Sequence, residues 1–157
     1  MRKEKDSMGV IKVPDNVYYG AQTKRASDNF PISNIKIPFD LIHAIAIIKR
    51  SAAIVNHSLA KLDLKNKDAI VKASDEIINH KLDKNFILDV FQTGSGTSTN
   101  MNVNEVIANR ANEILGKKLG SNSPVHPNDH VNMGQSSNDV IPSAIHISAK
   151  ISISEKL

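Results

Sequence analysis

QTGSGTSTNMNVNE, residues 92–105, joins a polar loop punctuated by two glycines to a run with helical periodicity. The loop is Thr93-Gly94-Ser95-Gly96-Thr97. The apolar residues that follow, Met101, Val103, Val106, Ile107, Ala111, Ile114 and Leu115, recur at roughly the spacing of one helix face. A helix is expected from near Ser98 to about Leu115, stopping at Gly116, with Lys117 and Lys118 beside its negative end. Such a junction has the form of an anion site. Glycines let backbone N–H groups turn toward one point, the first helical turn leaves donors unpaired, and the helix dipole favours negative charge there. Ser95, Thr97 and Ser98 add hydroxyl donors. The same residues also fit a plain turn capped by Ser98 or Thr99, and local chemistry leaves both readings open.

A second junction of this kind lies further on. Gln135-Ser136-Ser137-Asn138-Asp139 opens a periodic run whose apolar face is Val140, Ile141, Ala144, Ile145, Ala149, Ile153 and Leu157. Ser137 or Asn138 can cap it, Asp139 suits the positive end of the dipole, and Pro142 is tolerated in a first turn. No stop signal follows, so the run reads as an interrupted helix. Between the junctions, residues 120–135 contain Gly120, Pro124, Pro127 and Gly134 and read as an irregular loop. Within it, Val125-His126-Pro127-Asn128-Asp129-His130 has no third strong ligand and no zinc spacing, so no metal site is expected. Asn128, the N–H groups after Pro127 and His126 as a titratable partner would suit an outer anion site; the plain alternative is a loop braced by Asx-turns.

Upstream, residues 8–19 suggest a short extended arm, and Gln22 to Arg25 a polar patch. Pro31 and Pro38 keep the next stretch out of helix. Asp40 looks like the cap of a broadly apolar helix over residues 41–59, touched on several sides, with His43 and His57 at its margins. A second helix fits residues 66–80, with Ala69, Ile70, Ala73, Ile77 and Ile78 as its stripe. Residues 82–91 are ambiguous between strand and helix. The whole chain of 157 residues is 40% hydrophobic and 23% charged, the make-up of a globular segment of about one domain. A net charge of +4 is spread rather than clustered and aromatics are only 4%, which argues against a nucleic-acid module. The absence of cysteine excludes disulfides and thiolate metal sites. No run approaches membrane-spanning length, and the start lacks a signal-type apolar core, so a cytoplasmic location is expected.

The motifs together resemble the N-terminal third of the class II fumarases of the aspartase/fumarase superfamily. The matching residues are Glu4 with Asp6-Ser7-Met8-Gly9, Tyr19-Gly20-Ala21-Gln22-Thr23, Asn29-Phe30, Leu41-Ile42-His43-Ala44, Gln92 to Asn104, Val125 to Asn132, and Gln135 to Asp139 with Ser143-Ala144-Ile145-His146. Aspartases tend to carry alanine where this chain has Ser95, asparagine where it has His126 and threonine where it has Ser137. The resemblance implies a mainly α fold: a helical N-terminal domain with a short extended arm over residues 1–136, and the beginning of a central helix bundle over 137–157. It implies a homotetramer whose active sites are each shared by three subunits, and a hydro-lyase of the tricarboxylic acid cycle that interconverts fumarate and (S)-malate without cofactor or metal. Ser95, Gly96, Thr97, Ser136, Ser137 and Asn138 are the implied substrate-binding residues; His126, Pro127, Asn128 and Asp129 match a second dicarboxylate site. The family's catalytic base, a serine on a Gly-Ser-Ser loop, and its Thr-His pair have no match here. The segment alone is therefore expected to be inactive. An aspartase-type lyase and a non-catalytic dicarboxylate-binding or partner-capping fragment are the alternatives.

Overall fold

The computed structural model describes residues 1–156. In order, these form β1 (Arg2–Asp6), β2 (Gly9–Val13), α1 (Ala21–Asn29), α2 (Phe39–Ser58), α3 (Leu64–Ile78), α4 (Thr97–Ile114) and α5 (Ser137–Lys156), with a 3-10 turn at Asp83–Asn85 and a π turn at Pro127–Val131. The mainly helical expectation is met. The arm begins earlier than expected and folds back on itself, β1 pairing antiparallel with β2 so that Arg2 faces Val13 and Asp6 faces Gly9. Residues 82–91 form neither of the two elements considered: after the 3-10 turn they make a single bridge, Lys36 to Asp89. The loop at 120–135 is less irregular than expected, because the π turn occupies its middle.

Several helix starts differ from the sequence reading. Pro38 caps α2 and Asp40 lies inside its first turn, where its charge favours the dipole without capping. Asp63 caps α3 by accepting from the Asn66 N–H at 2.9 Å, so this helix starts two residues early. The polar patch at 22–25 belongs to α1, a helix that was not expected. Its N-terminus is capped from a distance. The buried Glu105 carboxylate accepts from the N–H groups of Gly20 (2.9 Å), Gln22 (2.8 Å) and Thr23 (3.1 Å) and from the Thr23 hydroxyl (2.6 Å), while Glu4 accepts from the Ala21 N–H (3.1 Å).

The core lies where α2 meets α3 and α5 and where α4 meets α1, α3 and the π turn, filled by Ile42, Ile45, Ile70, Ile77, Val103, Val106 and Ile107. In α4, 13 of 18 residues are buried, so the helix is enclosed on all sides rather than on one apolar stripe. Three of its asparagines are satisfied by holding loops: Asn102 donates to the Asn85 carbonyl (3.1 Å), Asn109 to that of Tyr18 (2.9 Å), and Asn112 exchanges two bonds with Val125 (2.8 and 2.9 Å). Gly116 ends the α4 region as expected, at φ 72°. In α5, Val140 and Ala144 are buried, but Ile145 and Ile153 are 50% and 59% exposed, so the expected apolar face is covered only at its start. Pro142 sits within the helix, a turn deeper than expected, and Leu157 lies outside the described residues. No helix among the described residues is long and apolar enough to cross a membrane.

Candidate functional site

Gly96 is the N-cap of α4, in the left-handed region at φ 70°, and has no side chain with which to cap the helix. The reading of Ser98 or Thr99 as cap is thus corrected. Thr99 is buried and instead ties down the loop, its N–H and hydroxyl each donating to Gln92 Oε1 at 2.8 Å. The loop hydroxyls gather around this helix end: Ser95 and Thr97 are exposed with their oxygens 2.9 Å apart, and Thr93 and Ser98 are 3.3 Å apart.

The two junctions of the sequence are brought together. A Cβ added to Gly96 would lie 3.0 Å from the Ile141 side chain, so the loop rests directly on the first turns of α5. From the first turn of α4, Asn100 Nδ2 donates to Ser137 Oγ at 2.9 Å and to Asn132 Oδ1 at 3.2 Å. At the α5 start it is Ser136 that caps: its hydroxyl accepts from the Asn138 N–H (3.2 Å), and its carbonyl from the N–H groups of Asp139 (3.1 Å) and Val140 (2.9 Å). Ser137 and Asn138, the expected caps, are already helical. Ser136 and Asn138 are exposed and Ser137 half-buried.

Beneath this pair of helix ends lies Lys49 of α2, fully buried. Its ammonium donates to Asn132 Oδ1 at 2.8 Å and to Gln135 Oε1 at 2.9 Å, both neutral amides. Loss of hydration lowers its pKa to about 7. Asn132 thus links Lys49 to Asn100 and so to Ser137, and Asn100 Oδ1 is itself buried without a hydrogen-bond partner. In the sequence Lys49 is one of the residues, with His43, Arg50 and Asn56, that interrupt the apolar run of α2, and nothing local marks Asn100 or Asn132. The one available signal was a lysine whose neighbours three and four residues away along the helix, Ile45, Ala46, Ala52 and Ala53, are all apolar.

The other predicted group sits apart. His126, Pro127 and Asn128 line a cavity of about 690 Å³ together with Glu4, Gln22 and Glu105, and none of the residues of the first site takes part in it. Asp129 is exposed. The N–H groups expected to be unpaired after Pro127 are largely engaged: that of Asp129 donates to His126 Nδ1 (3.2 Å), and those of His130 and Val131 to the His126 carbonyl (3.1 and 3.3 Å). The His126 N–H in turn donates to His130 Nδ1 at 2.8 Å. The π turn consumes its own donors, which leaves side chains to face the cavity.

An enclosed polar helix whose N-terminus meets that of a second helix, in an otherwise helical chain, agrees with what comparison shows: the chain belongs to the lyase family, whose profile, described as Lyase, matches residues 9–157. Among curated relatives it is similar to fumarate hydratase class II 1 of Pseudomonas aeruginosa, at 53% identity over 156 residues, and to fumarate hydratase class II of Prochlorococcus marinus, at 56% over 156 residues. Each match takes in 99% of this chain and 34% of the relative, so the chain spans about a third of the length of these proteins. Among solved structures it is similar to the fumarate lyase:delta crystallin of Brucella melitensis (TM-score 0.94, 46% identity, 97% of this chain and 35% of that one). It is similar also to the class II fumarase of Schistosoma mansoni (TM-score 0.94, 44% identity, 98% and 33%).

Proposed function

We propose that the protein carrying this chain is a fumarate hydratase, interconverting fumarate and (S)-malate, and that residues 1–157 supply its dicarboxylate-binding segments. The observation that carries the reading is the Asn100 to Ser137 hydrogen bond, which sets two hydroxyl-rich helix starts against each other. The chemistry requires two carboxylates to be held, and extra negative charge to be stabilised on one of them once the neighbouring carbon has lost its proton. Neutral hydroxyls, amides and helix N-termini can do this without changing their own protonation. Ser95, Gly96, Thr97, Ser136, Ser137 and Asn138 are the substrate-binding residues in this proposal. His126, Pro127, Asn128 and Asp129 form a second dicarboxylate site.

The proton-abstracting base and the water-positioning pair come from segments outside this chain, so the isolated segment binds without turning over. Metal and cofactor have no part in the proposed step. The proposal extends to a cytoplasmic homotetramer of the tricarboxylic acid cycle, each active site shared by three subunits. It also divides the chain at residue 136, with 137–157 opening a central bundle. The exposed apolar side chains of α5 support both the bundle and the assembly.

The test follows fumarate absorbance after (S)-malate is added to the product of the complete reading frame and, separately, to residues 1–157. Turnover by the longer protein alone is expected, and Ser137→Ala should lower its kcat/KM by about 10²-fold, the usual effect of removing one such donor. Turnover by the short chain would overturn the division of labour, and ammonia release from aspartate in place of malate dehydration would reassign the enzyme.

A further inference from the structure

Near the N-terminal end of α2, His43 meets the corner that follows α3. The rings of His43 and His80 stand edge to face with centroids 4.2 Å apart, and His80 Nδ1 lies 2.9 Å from Asp83 Oδ2. One ligand atom from each of the three residues falls within 4.8 Å of the others. We propose that His43, His80 and Asp83 bind one divalent transition-metal ion of the zinc, nickel or cobalt class, tying the start of α2 to the α3 corner.

Two imidazoles and a carboxylate are the donor set such ions prefer. Bonds of about 2.0–2.2 Å in a tetrahedron place donors about 3.3 Å apart, so the widest pair must close by about 1.5 Å. The side chain of His80 is 61% exposed and that of Asp83 28%, which gives an ion a way in and His80 the freedom to swing. A fourth position remains for water.

The second observation is the cluster's unmet polarity. Four buried side-chain polar atoms among the described residues have no hydrogen-bond partner, and two of them, His43 Nε2 and Asp83 Oδ1, belong to this one group. Buried polar atoms are rarely left so, and a bound ion partners groups of this kind directly. The competing account is packing alone: Phe39 stacks on His43 at 6.2 Å, and a His80–Asp83 bond closes the turn. No motif spacing joins His43 to His80, which is why the sequence does not display the group.

His80 also supplies the clean variant. It is a non-glycine residue at φ 59°, in the left-handed region, so His80→Gly removes a ligand while easing the backbone. Chelator-stripped protein would be titrated with zinc chloride by calorimetry, and its thermal midpoint followed with and without zinc. One zinc per chain and a raised midpoint are expected. His80→Gly and Asp83→Asn should each weaken zinc binding by about tenfold or more, since even partners one shell further out cost 10–100-fold. His146→Ala, removing an exposed histidine of α5, should bind as the parent does. Absence of saturable binding, or equal affinity in the His80→Gly and Asp83→Asn variants, would overturn the site and leave ring packing as the whole explanation. Malate turnover is no part of the readout, so this result and the proposed activity stand or fall separately.

Discussion

Lys49 is the residue whose environment departs furthest from what its type prefers. A buried ammonium held by two neutral amides has lost its hydration without gaining an opposite charge, and its pKa falls from 10.5 to about 7. Below about pH 7 the folded and unfolded chains both keep the proton, and the full cost of burying the charge stands. Between 7 and 10.5 the folded lysine is neutral while the unfolded one still binds a proton, so stability rises with pH at about 1.4 kcal/mol per unit. Urea midpoints should therefore climb by the equivalent of about 2–3 kcal/mol between about pH 7 and 9, and Lys49→Met should flatten that limb. An unchanged slope in the variant would show that other groups set it. The position was visible in the sequence as the first of two adjacent charges, Lys49 and Arg50, in an apolar run. Its partners were not, because Asn132 and Gln135 lie 83 and 86 residues away.

Helix α4 shows how an element can be read correctly in extent and wrongly in surroundings. Its span and its stop at Gly116 followed from periodicity and glycine placement. Its apolar residues mark one face, yet its asparagines are buried as well, and Asn109 and Asn112 hold the loops around the helix. Glu105 extends the same role to α1, whose first turn it caps through four donors. Glu105→Ala should leave those donors buried without an acceptor and cost about 3 kcal/mol or more. Hydrogen exchange would locate the damage, with the Gln22 and Thr23 amides losing protection before those of α3; uniform loss across the chain would mean that α1 has no separate dependence on this carboxylate. The helix α1 was illegible in the sequence for this reason: its main cap, Glu105, lies 82 to 85 residues away, and its other acceptor, Glu4, 17 away.

Across the whole molecule, apolar surface is unevenly covered. Val55 of α2 and its C-cap residue Leu59 are 53% and 59% exposed, and Ile145 and Ile153 of α5 are similarly open. These two helices pack on each other near the core and diverge in what they leave uncovered. Such surface favours association with further helices. Sedimentation velocity on the product of the complete reading frame should show a single assembled species, and the pair Ile145→Glu with Ile153→Glu should shift it toward smaller species. An unchanged distribution would place the assembly surface elsewhere.

The mainly helical content, the approximate spans of α2 to α5 and the two polar junctions were readable from the chain itself, because they depend on local terms: periodicity, glycine and proline placement, and capping chemistry within a few residues. The union of the junctions through Asn100 and Ser137, the buried Lys49 beneath them, the capping of α1 by Glu105 and the meeting of His43 with His80 and Asp83 were decided only in three dimensions. Each joins residues far apart along the chain. Packing brings them within hydrogen-bonding or ligand distance, and a polar group acquires its meaning from what lies against it once water has been excluded.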